Sequence, residues 1–182
     1  SNYFLWPKPR FKIQKIFKYF NLKCEDIEND IANYYNNKGY PILVSSGRVA
    51  IKICLIYLNQ NKKNKVKVFN YASKCVTNAV EKVSNVSYEN LNYDQVEIIY
   101  HHMACIQRHN LPKIFIEDSV DSLVDKNANL FPLNGLFEIW SLEKIYGLIG
   151  GGIIWCKDKE TQQILKETIN KHQKKSNLIW LI

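Results

Sequence analysis

Six short apolar runs recur along this chain, with stretches of helical spacing between them, and that alternation limits the fold more than any other feature. The runs cover residues 41–44, 65–71, 96–100, 113–118, 136–140 and 152–156, and each has the length and the Val, Ile and aromatic content of a strand. Residues 48–58, 77–82 and 158–171 read as helices between or after them, and 106–111 as a helical connection. Strands that alternate with helices predict an α/β fold: a mostly parallel sheet flanked by helices. Two further helices are expected at 10–20, where Phe11, Ile13, Ile16, Phe17 and Phe20 recur, and at 25–36, where Ile27, Ile31 and Tyr34 share a face. They form an N-terminal helical arm, residues 1–38, ahead of one α/β domain at 39–182.

A chain of 182 residues can bury one such core but not two large ones. The five cysteines are an odd number with no C-x-x-C spacing, so neither a zinc site nor a disulfide framework is expected. Cys54 and Cys156 lie in apolar segments and read as small core residues. The net charge of +8 raises the question of nucleic acid. Only Arg10, Arg48 and Arg108 are arginine, however, which leaves 22 of the 25 cations as Lys, a solvated-surface pattern. There is no Arg-rich stretch and no dinucleotide fingerprint, so no nucleic-acid partner is expected. No apolar run nears the ~20 residues of a membrane span, and a cytoplasmic protein without a membrane partner is the plain reading.

Ligands of open parallel sheets sit at the carboxyl ends of the strands, and three features fall there. Ser45-Ser46-Gly47-Arg48 opens a helix, where free N–H groups and the helix dipole suit a phosphate. Asp118 ends the run Ile114-Phe115-Ile116-Glu117, where a carboxylate can pair with a protonated ring nitrogen or face solvent. Ser141-Leu142-Glu143-Lys144 follows a strand and precedes a glycine-rich return, which gives Lys144 access to the same place. Gly150-Gly151-Gly152 lacks the Lys-Ser/Thr of a P-loop. His101-His102 has no third ligand at metal-site spacing, so no metal is expected.

Together these residues resemble fold-type-I pyridoxal 5′-phosphate (PLP) enzymes, in particular the DegT-type sugar aminotransferases, over about residues 40–158. Ser46-Gly47-Arg48-Val49-Ala50 resembles that family's S-G-[ST]-x-A helix start, with Arg48 in place of Ser or Thr. Tyr71-Ala72-Ser73 is similar to its aromatic segment, and Ile116-Glu117-Asp118-Ser119-Val120-Asp121-Ser122 to its I-E-D stretch. Trp140-Ser141-Leu142-Glu143-Lys144 resembles its serine-then-lysine segment, with a Ser-x-x-Lys spacing closer to the cysteine-desulfurase-like class.

The resemblance implies that Lys144 forms the internal aldimine and Asp118 holds the pyridine nitrogen. It also implies that Tyr71 stacks on the ring and that Ser46, Gly47, Arg48 and Ser141 hold the phosphate. Asp121 stands where the family usually has Gln, near the cofactor's phenolate oxygen. The implied reaction is amino transfer to a nucleotide-linked keto-sugar, with glutamate as donor, in a homodimer that shares its active sites. Family members continue into a small C-terminal domain, absent from residues 1–182. The alternative is a degenerate or half-length PLP-fold protein with a binding or structural role and no transferase activity.

Overall fold

The computed structural model describes residues 23–89, 95–101, 105–106, 114–122 and 129–172. The expected helix at 10–20, His102 and most of the connection at 106–111 lie outside the described residues. Seven strands form one sheet: β1 (Tyr40–Val44), β2 (Lys65–Lys67), β3 (Asn85–Ser87), β4 (Val96–Tyr100), β5 (Ile114–Asp118), β6 (Phe137–Ser141) and β7 (Gly152–Cys156). Their order is β1-β7-β6-β5-β4-β2-β3. From β6 through to β3 all neighbours run parallel, whereas β7 is antiparallel to both β6 and β1. The expected mostly parallel α/β architecture is therefore present.

The central strands are β-branched because both of their faces are covered. One face carries Ile42, Val44, Ile98, Ile116, Ile139 and Ile154, which pack with helices α2 (Gly47–Tyr57), α3 (Lys74–Glu81) and α5 (Lys159–His172). Cys54 and Cys156 are buried in this core, as expected. Burial raises both thiols, so they act as small apolar side chains. The other face holds Trp140, Ile153 and Trp155 against Tyr35, at the end of helix α1 (Cys24–Tyr34). Tyr35 meets both indoles edge-on, with ring centroids 5.2 and 5.6 Å apart.

Edge strand β1 is covered rather than left open. The buried Glu28 of α1 accepts a hydrogen bond from the Leu43 amide at 2.8 Å and pairs with Lys166 of α5 at 2.7 Å. The Gln162 amide of α5 donates to the Pro41 carbonyl at 2.8 Å. Part of the expected arm thus closes one edge of the sheet.

Two expectations on strands change. The run at 65–71 stays a strand only to Lys67: a single residue pair, Lys67 with Glu97, joins β2 to β4, and the chain then turns through Phe69 to Ala72. Strand β3 was not expected, because Asn85-Val86-Ser87 offers one apolar residue and no alternation to read.

Candidate active site

Strand β1 ends at Val44, and Ser45-Ser46 turn the chain directly into α2. Ser46 has extended backbone angles (φ −170°, ψ 163°), and its hydroxyl accepts from the Val49 amide at 3.3 Å, which is an N-cap. The next amides, Gly47 and Arg48, are first-turn donors without an intrahelical partner. No acidic residue stands in this first turn, so the positive end of the helix dipole is not offset there.

The glycine run at 150–152 docks against this helix start. Gly151 donates from its amide to the Ser45 carbonyl at 3.0 Å. A Cβ on Gly152 would lie 2.8 Å from the Ser46 carbonyl carbon and 2.9 Å from the Gly47 nitrogen, so only glycine fits. The run is therefore a seat for α2. A Cβ on Gly47 would occupy the space beside Val120 (3.5 Å) and Ser141 (4.0 Å). The helix start, the end of β6 and the turn after β5 converge at that point.

The turn after β5 carries two of the expected acids. Asp118, the last residue of β5, is buried, and its Oδ1 accepts from the Val120 amide at 3.3 Å. Loss of water pushes its carboxyl up to about 6, against the opposing pull of that hydrogen bond and of the charges on Lys144 and His101. Asp121 lies three residues on, in a turn closed by the Ser122 amide on the Ser119 carbonyl at 3.0 Å.

Lys144 belongs to α4 (Leu142–Tyr146), a single short turn of helix that starts at Ser141. Gly147 ends it in the left-handed region (φ 64°), and its amide returns to the Glu143 carbonyl at 3.0 Å. The Lys144 ammonium donates to Asp121 Oδ1 at 2.8 Å. Both side chains are partly exposed, at 32% and 21%.

Ser46, Gly47, Ser141, Asp118, Asp121 and Lys144 thus surround one end of the sheet. Arg48 is exposed on the first turn of α2. Tyr71 is 87% exposed and meets Phe69 edge-on at 5.8 Å. Phe69 in turn meets Tyr100 at 6.4 Å, and Tyr100 is the register partner of Asp118. An aromatic row therefore leads along the strand ends from Tyr71 towards Asp118.

A second pair lies beneath this site and has little signal in any one sequence segment. His101, just past β4, places Nε2 2.8 Å from Glu117 Oε2, and both are buried. The visible signal was Glu117 itself: alternation in β5 puts it on the opposite face from Asp118, where a buried acid needs partners. Among the described residues no group of three or more His, Cys, Asp or Glu side chains is placed to hold a metal. No helix among them is long and apolar enough to cross a membrane.

Comparison with known families matches residues 27–182 to the model described as "Putative PLP-dependent aminotransferase". The chain belongs to this PLP-dependent aminotransferase family. Helicobacter pylori PseC, an aminotransferase involved in the biosynthesis of pseudoaminic acid, has a similar structure, with a TM-score of 0.72 and 12% identity over 97% of this chain and 58% of that one. A GDP-4-keto-6-deoxymannose-3-dehydratase with a trapped PLP-glutamate geminal diamine gives 0.68 and 17% over 91% of this chain and 54% of that one. A DegT DnrJ EryC1 StrS aminotransferase from Brucella abortus gives 0.68 and 14% over 91% and 55%. These likenesses establish the fold. The chain spans little more than half the length of these structures, from 54% to 58%. No curated protein sequence matches it.

The residues of this chain fit PLP on chemical grounds. The first turn of α2 offers amide donors and no acidic residue, as a phosphate requires, and Gly47 brings that backbone to within van der Waals reach of Val120 and the Ser141 Cβ. A buried acid with its carboxyl raised to about 6 suits a ring nitrogen that carries a proton. A partly exposed lysine suits an aldehyde.

Proposed function

We propose that this chain binds PLP and transfers an amino group, with a nucleotide-linked keto-sugar as acceptor and glutamate as donor. The observation that carries the reading is the meeting of Asp118, Lys144 and the α2 start at one end of the sheet. PLP, when bound, supplies an electron sink for charge that develops on a substrate carbon. Asp118, shielded from water, would hold the ring nitrogen through its carboxyl oxygen. Ser46, Gly47, Arg48 and Ser141 would hold the phosphate through hydroxyls, first-turn amides and charge. Tyr71 would stack on the ring. Lys144 Nζ would hold the aldehyde end and, once displaced from it by the amino donor, would be the base that takes and returns the substrate α-proton.

The choice of substrate rests on the similar structures, among them the GDP-4-keto-6-deoxymannose-3-dehydratase and PseC. We read residues 1–38 as an arm, 39–182 as the large domain, and the working unit as a homodimer. Leu148 and Ile149, 49% and 61% exposed just past α4, support a second copy near the site. One observation favours a second reading, a PLP-fold chain that binds without transferring: the Lys144 ammonium is already bonded to Asp121.

Glutamate added to the PLP-loaded protein separates the two. Transfer predicts that the visible band of the loaded protein gives way to the shorter-wavelength absorbance of the amine form of the cofactor. An unchanged spectrum with glutamate and other amino donors would leave binding without transfer.

A further inference from the structure

The Lys144–Asp121 pair joins two backbone segments that are each held in place. Leu142 donates from its amide to the Gly151 carbonyl at 3.1 Å, and Gly147 caps the same short helix. On the other side, Ser119 donates to the Ile139 carbonyl at 2.9 Å, and the Ser122 amide closes the turn that carries Asp121. The 2.8 Å contact therefore bridges two anchored turns. Asp118 also faces Lys144 electrostatically, but it lies buried at the strand end, and Asp121 accepts a hydrogen bond from the ammonium.

We infer that Asp121 is a lock on Lys144: the ion pair must open before the amine can bond to anything else, so Asp121 sets how readily the site takes up its aldehyde cofactor. The inference rests on the PLP reading of the site. For Lys144 to bond an aldehyde, the ammonium gives up its extra proton and the nitrogen lone pair bonds to the carbonyl carbon. The aldehyde oxygen then leaves as water, carrying the two remaining amine protons. Asp121 opposes this by holding Lys144 Nζ in a 2.8 Å hydrogen bond, directed at its own carboxylate. It acts through Lys144 and is a positioning residue. An Asn in its place keeps the size and a hydrogen-bond acceptor but removes the charge.

Two measurements on the full chain test the lock. Cofactor-free wild type, Asp121→Asn and Asp121→Glu are treated briefly with acetic anhydride, and acetylation at Lys144 is read by peptide mass spectrometry. Exposed Lys159 and Lys171 serve as internal standards for reagent strength, and circular dichroism checks that each variant is folded. Separately, PLP is titrated into each protein and followed by visible absorbance. The lock predicts that Lys144 is acetylated about two- to fivefold faster in Asp121→Asn, the range for a partly shielded ion pair. Asp121→Glu restores the wild-type rate, and the Asn variant takes up PLP at proportionately lower concentration.

Equal relative rates at Lys144 in wild type and Asp121→Asn would overturn the lock, whether or not PLP binds. Faster acetylation in the Asn variant, with no PLP taken up by any of the three proteins, would keep the pair as a restraint on Lys144. That result would sink the cofactor reading instead.

Discussion

Two charge-bearing pairs in this molecule, Lys144–Asp121 and His101–Glu117, have the same 2.8 Å separation and opposite surroundings. The side chains of the first are 32% and 21% exposed, those of the second 2% and 0%. Glu117 also accepts from the Gly135 amide at 2.7 Å and the Leu133 amide at 3.1 Å, so it ties the segment before β6 to the sheet. When the exposed pair opens, water takes the place of each partner and the cost is small. When the buried pair opens, polar groups are left with nothing to bond. The buried pair therefore fixes the ends of β4 and β5 on which Asp118 sits. The partly exposed pair restrains Lys144 but opens at low cost.

The contrast breaks most visibly at Glu117. Glu117→Ala removes the buried acceptor of His101 Nε2 and of two backbone amides, and the expected loss is about 3–5 kcal/mol of unfolding free energy, read from denaturant curves. A loss below about 1 kcal/mol would make the buried pair no different from the exposed one. Asp121→Asn is the matching change at the exposed pair and should cost less than about 1 kcal/mol in the same assay.

Asp118 sharpens the comparison through pH. Burial raises its carboxyl from 3.8 to about 6, so the folded chain holds this proton more tightly than the unfolded one. Its favourable contribution is complete below about pH 4 and is lost as pH rises through about 6. A shift of this size is worth on the order of 2–3 kcal/mol. Between about pH 4 and about pH 7, wild type should lose that much stability relative to Asp118→Asn, as unfolding curves at the two values would show. A difference that does not change with pH would mean that burial does not set the state of Asp118.

The sequence is most readable where local pattern and tertiary role agree. Ile98, Ile99, Ile153 and Ile154 announce β4 and β7 with their observed bounds, because strands covered on both faces must be apolar throughout. The Ser46 cap is readable because small polar residues before an apolar helix have one common use there. Strand β3 is not readable, since three residues with one Val carry no period. The antiparallel course of β7 has a trace in the short link from Ser141 to Gly152, too brief for a parallel crossover. Side-chain partnerships are a different matter. Lys144 with Asp121, and His101 with Glu117, depend on the register of β4, β5 and β6, which no spacing within one segment reveals. The outward placement of Tyr71 likewise follows from β2 ending at Lys67, four residues earlier than the apolar run suggests.

The central claim is that Lys144 bonds PLP. The direct test is the visible absorbance of the purified chain with PLP, beside Lys144→Ala, followed by borohydride reduction and peptide mass spectrometry. The account predicts a yellow band in wild type and a phosphopyridoxyl group fixed on the Lys144 peptide, with neither in the variant. No band in either protein, or the same band and label in Lys144→Ala, would contradict it.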